Sequence, residues 1–150
     1  MLRRLPLLLL LLALPALAGP PKRPKKAPKR PVKADASLNA TQRKDFRAAI
    51  AEGRTRQKAE DYPAALAAFA RALRILPDDP RALQEHGWAA FKAGNLDLAE
   101  RSTRAAIART VDAKLLGAAW YNMGRILEAQ AISAYKRSLA VRANTTVRER

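Results

Sequence analysis

Over residues 46–113 small and apolar side chains return at one fixed interval. Gly53 and Gly87, Ala65 and Ala99, and Ala72 and Ala106 are each 34 residues apart. A period of that length fits a unit of two helices joined by a tight turn, with neighbouring units stacked on each other. The first unit is predicted over 46–79. Gly53 is the small position where its two helices cross, and Ala65, Phe69 and Ala72 form the packed side of its second helix. Pro63 fits the first turn of that helix, where a missing N–H costs nothing, and Pro77 closes it.

The second unit is predicted over 80–113, with Asp79 as N-cap and Pro80 at the first helical position. Gly94-Asn95 makes its turn. Thr103 stands where the first unit has Phe69, and Leu96 and Leu98 are the candidates to fill the space.

The third unit is irregular. Trp120, Met123, Gly124 and Leu127 match a first helix, but Gly124 follows Gly87 by 37 residues, which predicts a longer connection over 110–116. Ala131, Tyr135 and Ser138 read as a second helix. Gly124 to Ala131 spans 7 residues where the earlier units take 12, so five turn residues are missing. Either a cramped hairpin forms, or 120–141 runs as one helix. Residues 121–142 hold one glycine and no proline, which favours the continuous helix. Leu127, Ile132, Leu139 and Val141 are then expected to stay partly exposed. Such an uncapped end favours self-association or partner docking.

Ahead of the repeats, residues 1–18 read as a secretory signal peptide. Arg3 and Arg4 precede an apolar run over 5–14, and Ala16-Leu17-Ala18 supplies a cleavage site. The run is shorter than the roughly 20 residues of a spanning helix. An uncleaved anchor is the alternative to an exported, periplasmic or secreted chain.

The formal net charge is +16, and seven Lys/Arg with five prolines lie in 19–33 beside no acid. Such a segment buries too little apolar surface to offset chain entropy, so a disordered linker is expected over 19–40. It serves as an extended spacer, or as an arm touching an anionic polymer such as envelope polysaccharide or nucleic acid. The tract has no aromatic residue for stacking on bases, which favours the spacer. A helical domain is expected over 41–143 and a tail over 144–150.

Residues 46–143 resemble the tetratricopeptide-repeat family, in the arrangement of exported bacterial envelope members. Gly53, Ala65, Phe69, Ala72 and Pro77 carry the likeness, followed by Gly87, Gly94, Asn95, Ala99 and Ala106, then Trp120, Gly124, Ala131 and Tyr135. The resemblance implies an all-α solenoid of two regular helix-turn-helix repeats and a third irregular unit. It also implies a concave groove, lined by the first helices, that holds a peptide.

Positions carried over from the family place Arg47, Ile50, Arg54, Gln57 and Lys58 in that groove. Arg81, Gln84, Trp88, Phe91 and Lys92 join them, followed by Tyr121, Asn122 and Arg125. A basic groove with embedded aromatics favours an acidic peptide or protein. Some members grip a partner's terminal carboxylate. The matching positions here hold Ile50, Arg54, Glu85, Ala118 and Asn122, so that clamp is absent.

No catalytic, cofactor or metal site is expected, and no small-molecule substrate. There is no cysteine, no phosphate-binding glycine loop and no H-E-x-x-H pair. His86, the single histidine, falls where the repeat wants a buried leucine, so a hydrogen-bonded core histidine is expected. Asp78-Asp79 and Glu60-Asp61 sit at turns and helix starts, where capping explains them.

Overall fold

Four polar residues at helix starts set out the chain's architecture. The Gln42 N–H donates to Asn39 Oδ1 (2.8 Å) while the Asn39 N–H donates to Gln42 Oε1 (3.0 Å), a reciprocal cap. Asp61, Asp79 and Asn95 accept from the N–H groups of Ala64, Ala82 and Leu98 in the same way. The computed structural model describes residues 38–148, and every regular element among them is α-helical. The helices are α1 (Ala40–Lys58), α2 (Tyr62–Ile75), α3 (Pro80–Lys92), α4 (Leu96–Arg109) and α5 (Ala113–Arg148). The expected signal peptide at 1–18 and nearly all of the expected linker lie outside the described residues.

The α1–α2 and α3–α4 connections are copies of one turn. Glu60 and Gly94, 34 residues apart, both take left-handed backbone, at φ 58° and 82°. The Asp61 N–H donates to the Arg56 carbonyl (3.0 Å), and the Asn95 N–H to the Ala90 carbonyl (2.9 Å). Each bond satisfies a carbonyl that the helix end leaves free. Glycine takes such a φ without cost, whereas Glu60 bears a steric penalty.

Two closed helix pairs follow, α1 with α2 and α3 with α4. A Cβ on Gly53 would lie 2.5 Å from the Phe69 ring; one on Gly87 would lie 2.6 Å from Thr103 Oγ1. Gly53 and Gly87 therefore occupy equivalent crossings, each facing a residue sixteen positions on. Alanine supplies most of the interior, including Ala65, Ala68, Ala72, Ala89, Ala90, Ala99 and Ala106. Phe69, Ile126 and Thr103 are the largest side chains fully enclosed. Leu98 packs on the Ala90–Ala99–Ile126 cluster. Leu96 is half-buried.

α5 departs from the pairs. It is one helix of 36 residues, about 54 Å long, which resolves the two alternatives for this stretch in favour of the continuous form. It packs on α4, with lesser contact to α3, through Ala119, Asn122, Met123 and Ile126. The longer connection expected over 110–116 does not occur, because α5 begins at Ala113. Asp112 starts it there, accepting from the N–H groups of Lys114 (2.9 Å) and Leu115 (3.0 Å). The extra residues form added helix. Gly124 is exposed and a Cβ there would meet nothing within 4 Å, so it is not a third crossing. The helix also continues over 144–148, within the stretch expected as a tail. Among the described residues no helix is long and apolar enough to cross a membrane.

Candidate functional site

The odd-numbered helices share one face, and two open cavities meet on it. The first, about 320 Å³, lies between Arg54 of α1, Arg81, Gln84 and Glu85 of α3, and Lys114, Leu115 and Ala118 of α5, with Asp112 at its rim. The second, about 370 Å³, is bounded by Arg54, Gln57 and Lys58 of α1, Tyr62 of α2, and Glu85, Trp88 and Lys92 of α3. Arg54 and Glu85 belong to both and join them into a single groove. The spacing of Arg81, Gln84, Glu85, Trp88 and Lys92 keeps one side of α3 turned to it.

Five cations, Arg54, Lys58, Arg81, Lys92 and Lys114, face two carboxylates along this groove. Arg54 donates to Glu85 (3.0 Å), which ties α1 to α3. The pair is solvent-exposed and contributes at most about 1 kcal/mol. Asp112 is committed to the start of α5, where the Leu115 and Lys114 N–H groups hold its carboxyl below the usual range. The remaining cations give the groove a positive field.

Aromatic rings and cations alternate along its floor. Lys92 Nζ lies 5.2 Å from the Tyr62 ring centre and 6.0 Å from that of Trp88. Trp88 stacks on Phe91 at 5.3 Å, and the Arg125 guanidinium sits 5.8 Å from the Phe91 ring. Arg125 in turn donates to the Tyr121 hydroxyl (3.4 Å). A chain of contacts thus crosses from α2 through α3 to α5.

Of the expected groove residues, Arg54, Lys58, Arg81, Gln84, Trp88 and Lys92 line the two cavities. Phe91, Tyr121 and Arg125 line neither cavity; Phe91 packs on the Ala90–Ala99–Ile126 cluster, and the three join the groove only through the stacked array. Arg47 is exposed on α1 and lines neither cavity; Ile50 packs inward on the Ala65–Phe69–Ala89 cluster, and Asn122 is buried. Tyr62, Asp112, Lys114 and Leu115 were not foreseen. Tyr62 opens a second helix, outside the first-helix positions that the family resemblance assigns to the groove. Lys114 and Leu115 fell inside a connection that proves to be helix.

Gln57 Oε1 is buried at the groove with no hydrogen-bond partner among the described residues. Such an acceptor is costly unless a donor reaches it. Elsewhere, His86 is buried and its Nδ1 lies 2.9 Å from Ser102 Oγ, the hydrogen-bonded core histidine anticipated above. Burial holds its pKa below the ordinary value. Among the described residues no group of three or more His, Cys, Asp or Glu side chains could hold a metal ion.

Comparison of the chain with protein families, curated proteins and solved structures finds no match.

Proposed function

We propose that α1–α5 form a tetratricopeptide-like solenoid serving as a non-enzymatic scaffold of the bacterial cell envelope. It holds an acidic, extended segment of another protein along the face shared by α1, α3 and α5. Export rests on the signal pattern at 1–18. The observation that carries the binding reading is the groove, which five cations line, three of them (Arg54, Lys58 and Lys92) in the same cavity as Tyr62 and Trp88. Cations of this density attract carboxylates and speed encounter. Trp88, stacked and half-buried, is a rigid anchor of the kind that dominates interfaces.

Calorimetric titration of a Glu/Asp-rich decapeptide and its Lys-substituted counterpart tests this reading. The acidic peptide is expected to bind, more weakly as salt rises, and the basic one not at all. The Arg54→Ala/Arg81→Ala/Trp88→Ala variant is expected to lose binding while keeping its helical circular dichroism. The rival site is the Pro/Lys tract. Binding that survives the triple variant and vanishes on deletion of 19–33 would move the function to that arm.

A further inference from the structure

The two closed pairs define a seat and a plug. Gly53 is the seat for Phe69 and Gly87 for Thr103, and each plug lies within an i, i+4, i+7 run: Ala65–Phe69–Ala72, then Ala99–Thr103–Ala106. Both parts recur on α5. Gly124 is an open seat, with nothing within 4 Å of a Cβ placed there. Ala131–Tyr135–Ser138 repeats the plug spacing, and Tyr135 is 72% exposed. Seat and plug cannot meet within one chain. The five turn residues are missing, and a straight helix holds positions 124 and 135 about 16 Å apart along its axis.

We infer that the missing helix pair forms between two copies of this chain, the α5 arm of each closing on the α5 of the other. An antiparallel approach that sets Tyr135 over Gly124 of the second copy also sets that copy's Tyr135 over Gly124 of the first. One two-fold operation fills both seats and closes the assembly, as in a domain-swapped dimer. Residues 134–148 run beyond Ser133, the last half-buried residue of the α4-facing side. That arm is close in length to α2 and α4, which have 14 residues each.

The same register pairs four further exposed apolar side chains of each α5. Trp120 (58% exposed) meets Leu139 (64%) of the second copy, and Leu127 meets Ile132. Glu128 lies on this side too, and it reaches sideways to Arg125 (3.9 Å), clear of the contact. Four rings, Trp120 and Tyr135 from each copy, can bury at most the exposed part of the roughly 150–250 Å² that such a side chain offers. Leu127, Ile132 and Leu139 add to them and bring the total toward the ~1,200 Å² at which stable interfaces begin. The surface used lies on the side of α5 away from α4.

Sedimentation and light scattering on the full chain across concentrations test it. A dimer of 16.5 kDa chains is expected, and a monomer at every concentration overturns the proposal. Tyr135→Arg, at a site too exposed to affect folding of the single chain, should raise the dimer dissociation constant ~10-fold or more. An unchanged constant overturns the proposal. Because the chain has no cysteine, a Gly124→Cys/Tyr135→Cys variant gives a direct readout. Oxidation should yield a covalent dimer on a non-reducing gel; monomer alone counts against the swap. Inserting Glu-Asp-Tyr-Pro-Ala, the sequence of residues 60–64, between Gln130 and Ala131 restores the turn. That chain should close on itself as a monomer, and persistence of the dimer would refute the mechanism.

Discussion

The α1–α2 pair and the α5 helix start from similar residues and end differently. In α1, Gly53 lets Phe69 approach until no Cβ would fit, and the two helices close. In α5, Gly124 has the same spacing relative to its apolar neighbours but faces open space. The difference lies in the connection: 59–61 supply a left-handed residue and an N-cap, and no such turn separates Gly124 from Ala131. A small residue permits a helix crossing, and a turn is needed to produce one.

Removing the plug is the most severe way to break the comparison. Phe69→Ala should cost about 3–5 kcal/mol, since the ring is fully enclosed and its neighbours are alanines with little freedom to fill the void. Urea denaturation would measure it, and a cost near zero would mean that the first pair is not held by its crossing. No such loss is expected for Tyr135→Ala in the monomer.

The seats themselves should respond with opposite signs. At Gly87 an added methyl meets Thr103 Oγ1 and, at 3.1 and 3.2 Å, the Thr103 nitrogen and the Ala99 carbonyl oxygen. Backbone atoms yield poorly, so Gly87→Ala should destabilise by about 1–3 kcal/mol. Gly124→Ala, placed in a Tyr135→Arg background so that no partner's ring competes, should stabilise by about 0.5–1 kcal/mol through helix propensity alone. Equal effects at the two positions would erase the distinction between closed and open seats.

A smaller effect separates the two closed pairs. Thr103 Oγ1 is buried with no hydrogen-bond partner among the described residues, whereas Phe69 has no polar atom to satisfy. Thr103→Val should therefore raise stability by about 1 kcal/mol, seen as a higher thermal midpoint.

The gentlest test is pH. Burial lowers the His86 pKa in the folded chain, so the unfolded chain binds more protons as pH drops below 6.5. Stability is full above that value and declines as pH falls toward the folded pKa. Midpoints taken between pH 7.5 and 5 should show this slope, and His86→Gln should flatten it.

Much of this frame is legible in the residues, for a physical reason. Helices that cross closely exclude side chains at the crossing, so Gly53, Ala65, Gly87 and Ala99 report their own packing. Asp79 with Pro80, and Gly94 with Asn95, likewise report the local backbone. Gly124 misleads because a small residue looks the same whether or not a neighbour covers it. Counting from Gly87 to Gly124 could not tell a longer loop from an added helical turn, and the Asp112 cap settles the matter. The site is less legible than the fold. Arg54 and Glu85 are 31 residues apart, and only the stacking of α1 beside α3 brings them together. Tyr62 joins the groove through Lys92, a contact that follows from the path of α2 and not from any repeat position.

The alanine interior bears on how this molecule can change over evolutionary time. Where bulky side chains fill a centre, rotamer shifts absorb a foreign methyl group; here the distance between main chains sets the fit. Each helix must move as a rod or stay put. Variation is thus channelled outward to arginines, lysines and rings on the rim, where new affinities can arise without disturbing the frame that carries them.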